Sequence, residues 1–471
     1  MVTTTRSELG RDTHTLRATR GQRESPWREA RIIWAPSLTV SITFLAQLCI
    51  SLVETSVVSR LGPQQLAGVG IASGIYVLFF LLAIGTVTSL TPLVSEAYGR
   101  ADRAGMRKIA HQGLIVAAVA GTILALVLQL FAPLILRLIA SHETMEFSLA
   151  YLRGAALGLP FWAMYVAVRC ISTAVGKSGV GTIVLWLSVP AHAALCLVLS
   201  HGTDWIPARG TFGAGIALAA TPMISLMAVW TLLRLSKIGV LAELLRLPIS
   251  FDRRQFVRVL SLGTPFAFRI AIREGVLPIA MLIAAPHGIL VVTVQVVMAK
   301  LSDWGSSLGL GVATAVSSRI GYLDGSGARN KTRIAIAGGA LCGILYGLLL
   351  CAGLMFFGGE LVTLLVGTEL SRNLGSTWQL VWPVAAWLFI ICIQSSFVGA
   401  QSGLRDGTGG LVCVLLGEWM IGLPSAYLLA NALDSTVVGI WLGLLIGETA
   451  TLAIYWIRIE VILNRSERNA S

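Results

Sequence analysis

Charge is scarce in this sequence. Only 12% of its 471 residues are Asp, Glu, Lys or Arg, against roughly 25% in a soluble protein. So little polar surface excludes a soluble enzyme of this length. Lysine is scarcer still, at five residues (Lys108, Lys177, Lys237, Lys300 and Lys331), a compositional bias without functional weight. The seven cysteines lie mostly inside apolar runs and form no CxxC pair. That excludes a disulfide scaffold and leaves buried, unreactive packing as their role. Residues 1–33 hold seven arginines and four acids but no apolar run, so they lack the core of a secretory signal and read as a disordered cytoplasmic tail. A phosphate loop is missing too. Gly176-Lys177-Ser178 looks like the end of one, but Ile171 stands where its earlier glycine belongs and no strand precedes it. No nucleotide site means no primary pump. His142 to Glu146 lacks the second histidine of a zinc motif.

Apolar length is what the chain has in abundance. Hydrophobic residues make up 55% of it, and a bilayer core of about 30 Å asks for about 20 apolar residues per helix. Runs of that kind fall at 34–58, 66–92, 112–138, 147–174, 180–200 and 211–233, then at 259–284, 289–316, 334–357, 376–402, 410–430 and 437–461. Leu61 to Ser95 and Ile334 to Gly359 contain no charged residue at all, whereas Glu418 and Glu448 interrupt the last two runs. The expected fold is therefore an all-α integral membrane protein with 12 transmembrane helices.

The positive charges orient it. With both termini in the cytoplasm, 26 Lys and Arg fall inside and five outside (Arg60, Arg137, Arg153, Arg209 and Arg372), a strong positive-inside bias. Residues 234–258 mix apolar and basic side chains and divide six spans from six, as a surface-lying amphipathic linker would. The domains are then a tail (1–33), a first six-helix lobe (34–233), the linker (234–258), a second lobe (259–461) and a short cytoplasmic tail (462–471).

The two halves repeat. At an offset of 226, Gly85 meets Gly311, Gly99 meets Gly325, Arg103 meets Arg329, Arg107 meets Arg333 and Gly113 meets Gly339. Pro190 and Pro424 occupy corresponding spans, as do Gly215 and Gly439, and each half starts its first span near a proline, Pro36 and Pro265. Six spans repeated in parallel orientation is a transporter architecture: two pseudo-symmetric lobes around a central cavity, with the substrate site near mid-membrane between them.

Residues 53–70 (VETSVVSRLGPQQLAGVG) and 90–102 (LTPLVSEAYGRAD), with 262–265 (LGTP) and 439–448 (GIWLGLLIGE), resemble the multidrug and toxic compound extrusion (MATE) transporters, close to their bacterial NorM-like branch. The resemblance covers about residues 34–460. It implies two six-helix lobes that face a cavity alternately open to either side, exporting amphipathic and often cationic compounds against inward flow of H+ or Na+. It also implies a bacterial inner-membrane location.

Ionisable residues inside the bilayer cost a few kcal/mol each and are functional candidates for that reason. Glu54 stands where the family usually has an aspartate of the first-lobe cation site; the alternative is an interfacial carboxylate paired with Arg60. His192 falls where the family usually has Asn or Asp, and Ser188 at a companion asparagine position. Glu54 and His192 are expected to face one another, although a lone membrane histidine is also often plain packing. In the second lobe Arg273 occupies the position of a glutamate found in Na+-coupled relatives, with Glu274 beside it. Ile391 replaces an aspartate there, while Gln295 matches. A resident arginine repels a cation at low dielectric, so a second-lobe cation site is expected to be lost. Arg269 and Arg273, four apart, share a helix face; they meet an anionic substrate group or pair with Glu418 or Glu448. Lys300 and Asp303 are expected to pair. Arg169 matches an arginine common in the family, with a gating or lobe-packing role. Gly439, Gly443 and Gly447 form a helix-packing face.

The reading is a secondary antiporter, not an enzyme, that exports amphipathic drugs or toxic metabolites in exchange for H+ rather than Na+. It uses no cofactor, nucleotide or nucleic acid and acts as a monomer in the lipid bilayer. Coupling is assigned to Glu54, His192 and Ser188, the substrate cavity to Gln295, Arg273, Glu274, Arg269 and Glu418, and gating or lobe packing to Arg169 and Glu448. The alternatives are a lipid-linked saccharide flippase of the same superfamily, a Na+-coupled exporter, or a membrane enzyme, for which no acidic metal cluster or nucleophile–base set is visible.

Overall fold

The computed structural model describes residues 25–235, 239–245, 250–366 and 377–468. Its first half comprises α1 (Pro26–Val58), α2 (Pro63–Gly85), α3 (Leu90–Gly99), α4 (Arg103–Ile139), α5 (His142–Ala156), α6 (Leu159–Ala174), α7 (Gly179–His201) and α8 (Gly210–Leu235). A short helix, α9 (Gly239–Leu244), leads to the second half: α10 (Arg253–Glu274), α11 (Val276–Ala284), α12 (Ile289–Gly325), α13 (Thr332–Val366), α14 (Thr377–Gly403), α15 (Gly407–Val414), α16 (Leu423–Ala432) and α17 (Thr436–Arg468). Helices are what a chain without water at mid-depth must form, since each satisfies its own backbone hydrogen bonds.

Among the described residues ten helices are long and apolar enough to cross a membrane, and α5 with α6, bent by 46°, forms an eleventh span. The remaining span is α10 with α11, broken at Gly275. Its five arginines (Arg253, Arg254, Arg258, Arg269 and Arg273) lower its hydropathy. The twelve spans in two lobes follow, and the chain is a multi-pass membrane protein.

Some boundaries differ from the sequence reading. The first helix starts at Pro26, inside the stretch assigned to the 1–33 tail; residues 1–24 lie outside the described residues. Pro26 can open a helix because the first N–H needs no partner. Of the expected linker at 234–258, α9 packs Leu241 and Leu244 against the first half, and its last six residues already belong to α10. Residues 462–468, expected as tail, continue α17.

The glycine repeat marks where the halves touch. An added Cβ at Gly85 would lie 2.9 Å from Ala267 Cβ, one at Gly99 2.9 Å from the Ser326 nitrogen, and one at Gly325 2.8 Å from the Glu96 carbonyl carbon. Glycine removes that obstacle, which matters in a bilayer, where close packing replaces the hydrophobic drive between helices. Gly113 rests on Leu90 and Gly339 on Val316, so the same contact recurs in each lobe at the same offset.

A second repeat is visible only in the backbone. Four helix ends close with one turn, in which a residue at positive φ donates to the carbonyl three back and the next N–H donates five back. The positive-φ residues are Ala101 (57°), Gly176 (75°), Gly327 (74°) and Arg405 (63°). Glycine adopts this turn freely, whereas Arg405 holds it at a cost on the order of 1 kcal/mol.

The halves meet at one end of the bundle. Ser41 Oγ donates to the Leu308 carbonyl (3.1 Å), Ser37 and Tyr346 hydroxyls are 3.0 Å apart, Ser89 Oγ donates to the Val259 carbonyl (3.2 Å) and Ser318 Oγ to that of Thr173 (3.4 Å). An apolar cluster joins Ala30 and Ile33 to Val312, Val316, Ile459 and Leu463. The start of α1 and the end of α17 lie at this same end, where Arg333 donates to Glu460 (3.0 Å) and Asn464 (2.6 Å). At the opposite end the second lobe keeps a core of its own around Val276, Val294, Trp387 and Trp441.

Candidate functional site

Each lobe encloses one polar centre. In the first, α1 turns Glu54 inward, 7% exposed. Tyr151 of α5, Tyr76 of α2 and Cys196 of α7 are the polar side chains around its carboxyl. Glu54 Oε1 and the Tyr76 hydroxyl have no hydrogen-bond partner among the described residues. No ion pair to Arg60 forms among them either, so the interfacial-pair alternative for Glu54 loses its support.

His192 is fully buried between α7 and α8, its Nδ1 2.8 Å from Thr221 Oγ1. Thr221 spends its proton on the Ala217 carbonyl (2.8 Å). The imidazole therefore donates from Nδ1 and keeps the Nε2 lone pair, which has no partner among the described residues. Ser188 meets Ser225 at 2.8 Å one turn away. Ser188, His192, Cys196 and Ser200 recur every four residues on one buried face of α7. Glu54 and His192 are both buried in this lobe, and no hydrogen bond joins them among the described residues.

Arg169 lies in the same lobe with its guanidinium 4.8 Å from the Phe44 ring centroid. Its stem packs against Gly181, which ties α6 to α1 and α7. Cation–π attraction offsets part of the cost of burying it.

In the second lobe Arg273 stands between two acids. Its Nε lies 3.4 Å from Glu418 Oε1 and its Nη2 3.4 Å from Glu448 Oε1. Gln394 of α14 is buried beside Glu448. Glu418 rides on a π-helical stretch, Leu415–Gly422, immediately before α16. Pro424 explains that register: it cannot donate to the carbonyl four back, so the ladder loosens ahead of it. A cavity of about 40 Å³, room for a few water molecules, adjoins the cluster and is lined by Glu274, Asp303, Ser306 and Trp387. Lys300 pairs with Asp303 at 3.7 Å as expected.

The expected loss of a second-lobe cation site needs correcting in its reason. Arg273 is neutralised by its own two partners, and the four carboxylates around it leave the pocket acid-rich rather than cation-repelling. The same pairing decides between the two readings of Arg273. Arg269 does not join it: its guanidinium sits 5.4 Å from the Phe266 ring, and its stem packs against Gly410 beside Gln401. Gln295 is fully buried and accepts from Trp441 Nε1 at 3.0 Å, inside the lobe's core rather than on a cavity wall. Ile391 is core as well. Gly443 packs on Ala426 and Gly447 on Gly422.

Tyr151, Tyr76, Thr221 and Gln394 were not singled out from sequence. Each sits in an apolar run, where a hydroxyl or amide carries no periodic signal. The only hint was spacing, since Thr221 and Ser225 stand four apart.

Solved structures share this fold. One described as the outward-facing conformation of a multidrug resistance MATE family transporter of the MOP superfamily superposes with a TM-score of 0.82 at 18% identity, covering 94% of this chain and 96% of that one. One described as MATE in the straight conformation gives 0.84 at 17%, covering 97% and 99%. At this identity they establish the fold. Among sequences, the probable multidrug resistance protein NorM of Rhizobium meliloti (strain 1021) is 25% identical over 88% of this chain and 89% of its own length. That of Pseudomonas aeruginosa is 26% identical over 91% and 89%. The multidrug resistance protein MdtK of Pectobacterium atrosepticum is 25% identical over 92% and 96%. The MatE family model matches residues 40–198. The family match therefore falls within the first lobe. The matched segment takes in Glu54, Tyr151, Arg169, Ser188 and His192, the first-lobe centre except its α8 side.

Proposed function

We propose that this protein is a secondary exporter of amphipathic drugs or toxic metabolites, driven by inward H+ flow through the first lobe. The names of its relatives, multidrug resistance proteins NorM and MdtK, support the export reading. Glu54 carries the coupling assignment: it is a buried carboxyl with neutral tyrosines around it and no ion pair among the described residues. A proton there removes a charge the lobe must otherwise accommodate, so α1 and its neighbours favour different packings in the two protonation states. His192, whose Nε2 has no protein partner among the described residues, offers a second polar group in the same lobe. In the second lobe the ion pairs already engage Glu418 and Glu448, which favours the first lobe for coupling.

In this reading the structure is the outward-open state, with the junction of the halves on the cytoplasmic side, the protein a monomer in the bacterial inner membrane and both termini inside. A proton taken up by Glu54 from outside lets the lobe bend and release cargo, and its loss to the cytoplasm resets the cycle. Reporter fusions at Ser471 and after Leu245 should both give cytoplasmic signals; a periplasmic signal from either overturns the topology. In proteoliposomes an imposed pH gradient should drive transport without sodium. Transport that needs a Na+ gradient and ignores pH overturns the coupling assignment.

A further inference from the structure

The junction between the halves contains two ion-pair systems, one buried and one half-buried, that the export reading does not by itself require. The first joins α1 to α12. Glu29 and Arg319 are 6% and 2% exposed, and both guanidinium arms reach the carboxylate, Nε to Oε2 and Nη2 to Oε1, each at 2.7 Å. The second centres on Glu96, buried near the end of α3. It accepts from Arg405 Nη1 of the α14–α15 turn at 2.6 Å, with Arg258 at 3.4 Å and Arg100 of its own helix end also in contact. The other arm of Arg405 donates to Asp324 of α12 at 2.8 Å, and Arg329 backs Asp324 at 3.7 Å. In each system an acid of the first half, Glu29 or Glu96, meets arginines chiefly of the second, and Asp324, also of the second half, anchors the other arm of Arg405.

We propose that these two clasps, Glu29–Arg319 and Glu96–Arg405–Asp324, latch the cleft shut on the terminus-bearing side. Their rupture then exposes the cavity to the side where cargo loads. The inference rests on the alternating-access reading above.

The chemistry suits a reversible seam. A buried ion pair holds two surfaces in one register, and its desolvation cost roughly offsets its attraction. When the halves part at the water-facing end of the bundle, both charges regain solvent, so breaking the pairs themselves costs little. An apolar seam of equal area would expose its surface to water at full cost. A pair at mid-membrane depth would have nowhere to go. The turn at Arg405 adds to the case. Its left-handed position is glycine at Gly176 and Gly327, yet here an arginine holds it and spans both acids. Arg405→Gly therefore removes the clasp while easing the turn, which separates gating from folding.

The test uses spin labels on the full chain, with its seven cysteines replaced by alanine and transport verified. One pair, at Ala104 and Asn330, reads the clasped end; another, at Leu138 and Ile289, reads the opposite end. Arg405→Gly combined with Glu29→Gln should add a longer-distance population to the first pair and a shorter one to the second. Restoring Arg405 and installing the exchange Glu29→Arg with Arg319→Glu should bring back the wild-type distributions. Distributions that superimpose on wild type in a monodisperse Arg405→Gly, Glu29→Gln protein overturn the latch. A shift in distances without transport of any cargo by the parent protein upholds the latch and sinks the export reading. Unchanged distances in an actively transporting protein do the reverse.

Discussion

Glu54→Gln is expected to lower pH-gradient-driven export by about 5- to 150-fold, the range spanned by typical coupling free energies, while leaving the protein folded. Glutamine keeps the shape and one carbonyl oxygen for Tyr151 but can neither gain nor lose the proton. Cargo binding, measured separately by fluorescence quenching or isothermal titration, should persist, because the substitution removes the switch and not the cavity. His192→Ala, by contrast, should leave export measurable and move its pH dependence, since the imidazole lies in the same lobe without a hydrogen bond to Glu54. A fully active Glu54→Gln would remove the basis for placing the coupling group in the first lobe. A variant that loses binding together with transport would instead put Glu54 among the cargo contacts.

The second large effect is on stability. Arg273→Leu should destabilise the protein by about 3–5 kcal/mol, the usual penalty for stranding buried charge by removing one partner. Here two acids, Glu418 and Glu448, lose their common cation. The triple variant Arg273→Leu, Glu418→Gln, Glu448→Gln should recover most of that loss, because it removes the charge rather than orphaning it. Thermal unfolding in detergent, followed by tryptophan fluorescence, reads both. An Arg273→Leu protein that melts with wild type would show that the acids are held some other way. The outcome also bears on function: a triple variant that is stable and still transports leaves coupling to the first lobe, as proposed.

The sequence alone determined that this chain crosses a membrane many times, that its two halves repeat, and which intramembrane groups deserved notice. Those follow from short-range quantities: run length against bilayer thickness, charge counts between runs, and glycines at one offset. Membrane burial makes the signal clean, because any ionisable residue in an apolar run stands out against its neighbours. Glu54, His192, Arg273, Glu418 and Glu448 were all visible for that reason.

Only the tertiary structure decided what each of them meets. Arg273 and Glu418 are 145 positions apart, and nothing local tells whether an arginine faces an acid, a ring or a cavity. Helix rotation decides that, and rotation is set by the fit of whole faces. So Arg273 went to two glutamates, Arg269 to Phe266, and Gln295 to Trp441 in the core. Glu29 is the sharpest instance. Its neighbours in sequence are Arg28, Ala30 and Arg31, a polar stretch with no reason to be buried. It is buried because α12 brings Arg319 to it across the junction of the halves. The left-handed turn at Arg405 was likewise invisible: only its partners on both halves, Glu96 and Asp324, show why an arginine stands where glycine fits more easily.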